Sequence, residues 1–148
     1  MNYYSGKHSV EVRSTVQEVC LVLEDYENYA QLDHELQWAQ VDMIVNKRYL
    51  VRFKQRLFRG VLEYALNIDH QYPGSASWNL AFSEHFAEHK GKVTLTPLDN
   101  GACRVDLAVE VELKQWLPGR IFESLQKDFW HRFLDGLRAK AESASIDA

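Results

Sequence analysis

From about residue 36 onward, apolar residues recur at every second position, the period of strands with one buried face. Ala39, Val41, Met43 and Val45 predict one face of a strand, and Tyr49, Val51, Phe53 and Leu57 one face of the next. Leu62, Tyr64, Leu66 and Ile68 predict a third, which stops at the turn signal Tyr72-Pro73-Gly74-Ser75. Ala76, Trp78, Leu80 and Phe82 follow, then a polar connection over 83–90, then a strand containing Val93 and Leu95. Asp99-Asn100-Gly101 predicts a hairpin, because Asn and Gly tolerate positive φ. The cleanest alternation comes last. Cys103, Val105, Leu107, Val109, Val111 and Leu113 are set against Arg104, Asp106, Ala108, Glu110 and Glu112, which means one wet face and one buried face.

The flanks read differently. A first strand is predicted over about 3–13, with His8, Val10 and Val12 on one side. Ser14-Thr15-Val16-Gln17 predicts a capping box, Ser14 reaching forward and Gln17 reaching back, ahead of a short helix to about Glu24. Asp25 then caps a second short helix containing Tyr26, Tyr29, Ala30 and Leu32. After Pro118-Gly119 the period becomes helical to about Ala141, with Ile121, Phe122, Leu125, Phe129, Phe133 and Leu137 as the apolar stripe, broadened by Trp130 and Leu134. Some 24 residues at 1.5 Å each give a rod of roughly 36 Å, and the tail from Glu142 is expected to fray.

This order predicts one α+β domain over residues 1–148, a curved antiparallel sheet of about six to seven strands wrapped around a long C-terminal helix. At about 4.8 Å per strand such a sheet is roughly 30 Å across. A helix about 10 Å thick cannot fill its concave side. That surplus of space makes ligand binding the leading expectation.

Four segments carry a family likeness: the stretch from His8 to Val19, Leu23-Glu-Asp-Tyr-Glu-Asn-Tyr, the stretch from Gly91 to Val105 with its Leu-Thr-Pro-Leu-Asp-Asn-Gly hairpin, and Trp116-Leu-Pro. Together they resemble the polyketide cyclase/dehydrase and lipid-transport branch of the START-like helix-grip superfamily (SRPBCC). The likeness runs from about Ser9 to Ala141, with Lys92 where many relatives have Trp and Ala30-Gln31 where they have a Pro. Relatives include proteins similar to coenzyme-Q-binding START-like proteins, a ribosome-associating toxin, aromatase/cyclases and plant hormone carriers. The resemblance implies binding or transport of a hydrophobic ligand such as a lipid, quinone or aromatic metabolite. Its alternatives are a cyclase or dehydratase using the same cavity, and a ribosome- or protein-interaction module.

Composition adds limits. Among 148 residues, 46% are apolar and 26% charged, an ordinary globular balance, and a formal charge of −4 disfavours DNA as a partner. The amino-terminal stretch lacks a basic segment followed by an apolar run, and no apolar run approaches the ~20 residues that span a bilayer; a cytoplasmic protein is expected. Cys20 and Cys103 each fall among apolar residues and are read as buried thiols.

Candidate chemistry is sparse. His85-Phe-Ala-Glu-His89 lacks the Glu that follows the first His of a zinc-protease helix, and in extended chain the two rings lie over ~12 Å apart; they are read as solvated loop histidines. No metal, no cofactor, no Gly-rich phosphate loop and no nucleophile elbow is predicted, and catalytic residues stay unassigned. Arg48, Arg52, Lys54 and Arg56 form a basic strand face, read as a solvated face balanced by Glu63 and Asp69, with anionic lipid or ribosome as the functional alternative. His70 and Asp69 could supply a proton-transfer group, but His70 beside a turn is expected at the surface. The candidate cavity wall is Phe53, Tyr64, Trp78, Phe82, Leu95, Leu107 and Val109 from the sheet with Phe122, Phe129 and Phe133 from the helix.

Overall fold

The computed structural model describes residues 2–57 and 59–147. The elements are β1 (Asn2–Val12), α1 (Val16–Glu24), a 3-10 helix (Tyr26–Gln31), β2 (Leu36–Val45), β3 (Arg48–Leu57), β4 (Gly60–Gln71), β5 (Ser75–Ser83), β6 (Phe86–Pro97), β7 (Cys103–Leu113) and α2 (Gly119–Asp147). The strands form one seven-stranded antiparallel sheet in the order β1-β7-β6-β5-β4-β3-β2, and α2 lies on it, packed against β1 and α1.

Local chemistry explains the elements. The inward set of β7, from Cys103 to Leu113, is almost wholly buried, and it pairs along its length with both β1 and β6. Asn100 and Gly101 take positive φ of 65° and 74° in the hairpin before it. On α2 the buried stripe is Phe122, Phe129, Trp130, Phe133, Leu134, Leu137 and Ala141. The helix extends through Asp147, past Glu142.

The helix starts show two differences. α1 is capped one residue later than the Ser14-Gln17 pattern suggests. Thr15 has extended dihedrals, its Oγ1 accepts from Glu18 N at 3.2 Å, and its own N–H donates to Glu18 Oε1 at 3.0 Å. Asp25 makes no side-chain cap; its carboxylate accepts from the Asn28 amide at 2.8 Å, and the following turns are 3-10 rather than α.

Bulges alter three strand faces. Register shifts lie between Leu36 and Trp38 and between Val41 and Met43, so β2 buries Leu36 and Ala39 while Met43 and Val45 lie exposed together with Ile44. A shift between Ala65 and Leu66 pairs Phe82 with Ala65 and rotates it outward; it is 58% exposed and belongs to no interior wall. A fourth shift, between Phe86 and Glu88, puts Phe86 and His89 on one inner face of β6. The predicted polar connection is therefore mostly strand, with only 84–85 between β5 and β6, and His89 is buried rather than a solvated loop residue. His85 is half-buried, its Nδ1 accepting from Glu63 N at 3.3 Å.

β5 and β6 pair only from Ser75–Thr94 to Trp78–Gly91. Beyond that point β5 stays with β4, and β6 stays with β7.

Candidate ligand cavity

Between the sheet and α2 lies a cavity of about 70 Å³. Of the residues proposed from sequence, Phe53, Tyr64, Trp78, Leu107, Phe129 and Phe133 stand on its wall. Leu95, Val109 and Phe122 are buried in the packed core but do not reach it, and Phe82 sits on the outer face beside Trp38, Glu63 and His85. The wall also takes Tyr26 and Tyr29 from the 3-10 helix, Tyr72 from the β4–β5 turn, His89 from β6 and Trp130 from α2.

A stack of rings forms one end. Phe53 and Tyr64 are direct cross-strand partners with centroids 5.3 Å apart, and His89 stacks on the other side of Tyr64 at 5.0 Å. Phe86 stands edge-on to both Tyr64 and His89, each at 5.1 Å. Across from them Trp78 stacks on Trp130 at 6.2 Å. At the other end Tyr49 lies over His70 at 4.0 Å, and Tyr26 and Tyr72 lie against the same imidazole.

The polar atoms of these rings are largely bound to the protein. The Tyr64 hydroxyl donates to Gln55 Oε1 at 2.6 Å, the Tyr29 hydroxyl to the Leu23 carbonyl at 2.5 Å, and the Trp130 indole to Gln126 Oε1 at 3.2 Å. The Tyr26 hydroxyl and His70 Nε2 share a hydrogen bond of 2.6 Å. Trp78 Nε1 donates to His89 Nδ1 at 3.1 Å. Burial pushes the phenols of Tyr26, Tyr29, Tyr64 and Tyr72 well up and lowers His70, while His89 is brought down to about 3. Every titratable ring on the wall is therefore neutral near pH 7.

His70 is buried, contrary to its expected place at the surface, because Tyr26 supplies a partner inside. Asp69 points to the other face and binds Arg48 at 3.2 Å, so the two residues do not act on one site. On the basic face Arg52 is likewise held by Asp42 at 2.5 Å and lies over Trp38, and Lys54 stands opposite Glu63. Among the described residues no cluster of three or more His, Cys, Asp or Glu could hold a metal ion, and no helix is long and apolar enough to cross a membrane. Both cysteines are buried and free; burial raises the Cys20 thiol to about 11.

No protein-family model matches the chain, and no curated protein matches it in sequence. Its fold has clear counterparts. A START superfamily protein from Mycobacterium smegmatis superposes with a TM-score of 0.83 at 16% identity, over 95% of this chain and 98% of that one. The chain has the START-like helix-grip fold. The Zhui aromatase/cyclase from Streptomyces sp. R1128 has the same START-like architecture, with a TM-score of 0.84 at 13% identity over 95% of this chain and 94% of that one. So has a protein from Thermus thermophilus, with a TM-score of 0.87 at 15% identity over 96% and 99%. At such identities the likeness lies in the course of the backbone, and the START-like chain described above builds its cavity wall from its own residues.

Proposed function

We propose that the chain binds a small, uncharged hydrophobic molecule, of the lipid, quinone or aromatic-metabolite kind, between the sheet and α2. The observation that carries this reading is an unfilled apolar space walled by rings whose polar atoms are mostly turned on one another. Among the described residues the wall has no carboxylate, amine, guanidinium or thiol, so a charged ligand would lose its hydration without gaining a counter-ion. The START superfamily and aromatase/cyclase neighbours support a fold suited to hydrophobic ligands. A cyclase or dehydratase would need ionisable groups converging on the cavity, and the separation of His70 from Asp69 weighs against it.

Size sets a further condition. Dry cavities of about 150 Å³ accept a benzene ring, roughly twice the space present here. A ligand must therefore press the wall apart, and Trp78 and Trp130 are the largest rings to move. Burying about 300 Å² of apolar ligand surface contributes about 7 kcal/mol before association and rearrangement costs. The test is native mass spectrometry of the freshly purified protein, followed by thermal melts with a panel of quinones, lipids and aromatic metabolites. The expected result is a co-purified small molecule, or a melting temperature raised by several degrees with at least one panel member. No adduct and no shift would overturn the proposal and favour an interaction module with a closed interior.

A further inference from the structure

The Trp78–His89 pair defines the ligand more narrowly. Gly91 is the β6 residue opposite Trp78, and a Cβ built there would come within 2.4 Å of the indole ring. The missing side chain thus lets the indole lie across β6 and set Nε1 on the His89 ring two residues away. An indole N–H only donates, so the Nδ1 that receives it must present its lone pair. The imidazole is then neutral, with its proton on Nε2. Tyr64 on one face and the edges of Phe86 and Trp130 hold the ring in place.

Among the described residues none accepts from Nε2, and Trp78 is the one hydrogen-bond partner of the His89 side chain. Among the described residues no fully enclosed side-chain nitrogen or oxygen lacks a partner. His89 is buried and stands on the cavity wall, so its Nε2–H borders the open space. At this end Tyr64, Trp78 and Trp130 already use their donors within the protein. Tyr72 is remote, packed on His70, which lies six residues beyond Tyr64 on β4, roughly 20 Å at ~3.4 Å per residue.

We infer that His89 is the residue that selects the ligand, donating from Nε2 to a neutral carbonyl oxygen on an aromatic or similarly apolar molecule. This rests on the ligand-binding reading above. A carbonyl satisfies the donor without bringing a charge, whereas a hydrocarbon of the same shape leaves it unpaired. The rings of Tyr64, Trp78 and Trp130 around His89 favour a flat, ring-bearing molecule.

The test uses two probes of matched shape, acetophenone and α-methylstyrene, in which the carbonyl oxygen is replaced by a methylene. Dissociation constants are measured by calorimetry for the full chain and for His89→Phe. The expected result is that His89→Phe weakens acetophenone about tenfold relative to α-methylstyrene, the worth of one buried hydrogen bond. An unchanged ratio overturns the inference while the cavity reading stands. A wild-type protein that binds a member of the ligand panel but not acetophenone overturns the inference alone; one that binds neither probe and no panel member removes the cavity reading and this inference with it. A second measurement needs no variant: the infrared carbonyl stretch of 13C-labelled acetophenone bound to the wild-type protein. A stretch lowered from its value in hexane supports donation from His89, and a stretch at the hexane value overturns it.

Discussion

Gly136 offers a direct test of how α2 is seated. A Cβ built on it would lie 2.0 Å from the carbonyl oxygen of Leu32 and 2.7 Å from the carbonyl carbon. Both atoms are backbone, at the end of the 3-10 helix where Leu32 N–H donates to the Tyr29 carbonyl at 2.9 Å, so no rotamer change relieves the clash. In Gly136→Ala the helix and the Leu32 segment must separate by at least about 1 Å before the methyl reaches even a tight contact. The same stretch of α2 carries Phe133, packed on Tyr29 with centroids 5.5 Å apart, and Arg132, bound to Asp33 at 2.6 Å. Separation loosens all of these together.

The sign is what makes the substitution informative. In an open helix Gly→Ala stabilises by about 1 kcal/mol through backbone entropy. Here overpacking costs about 1–3 kcal/mol, with the loosened contacts in addition. We expect a net loss of about 2 kcal/mol, which at a urea slope of about 1.5 kcal/mol per M lowers the unfolding midpoint by about 1.3 M. Gly119→Ala is the control, because a Cβ there meets nothing within 4 Å; its midpoint should move by less than about 0.5 M. A Gly136→Ala protein as stable as the wild type, or more so, would refute the close seating of α2 on Leu32.

Two further outcomes follow from buried polar groups. Arg132 joins Asp33, whose side chain is 1% exposed, and Glu35; Arg132→Met should cost about 3 kcal/mol in urea unfolding by stranding Asp33, and a loss under 1 kcal/mol would show that the pairing does not hold α2. His89 takes up a proton near 6.5 when unfolded but only at about 3 when folded. The stability it protects is complete above about pH 6.5 and declines toward pH 3 by up to about 1.4 kcal/mol per unit. His70, lowered by its own burial, acts in the same direction. The advantage of wild type over His89→Phe should shrink by about 3 kcal/mol between pH 7.5 and pH 4, and a difference that stays flat over that range would refute a neutral buried imidazole.

Periodic features were legible from sequence and register changes were not. The α2 stripe and the β7 alternation repeat often enough to fix their faces, and the Asn100-Gly101 hairpin has a residue signature. A bulge has none, and a one-residue slip reverses the face. That reversal moved Phe82 outward and brought Phe86 and His89 in. His70 differs in kind. It continues the inward series Leu62, Tyr64, Leu66 and Ile68, so its parity already pointed inside, but its polarity beside a turn argued for the surface. The partner that reconciles the two, Tyr26, lies 44 residues away in sequence and reaches it only through the tertiary fold.

The same reasoning explains how Tyr, Trp and His come to wall an apolar space. A ring residue brings a large apolar area and one polar tip, and the tip ceases to matter to a ligand once a protein acceptor holds it. Gln55 does this for Tyr64, Gln126 for Trp130, Leu23 for Tyr29 and His89 for Trp78. Gln55 and Gln126 are buried among apolar neighbours, where sequence alone suggests no purpose; as acceptors they keep the wall dry. The chain of acceptors ends at His89, which receives from Trp78 and, among the described residues, has no acceptor for its own proton. Its ring also stands beside the seam where β5 and β6 stop pairing, so the wall can widen there with the fewest backbone hydrogen bonds to break. An uncommitted donor and the most yielding part of the sheet therefore coincide at the place where a ligand would have to enlarge the cavity.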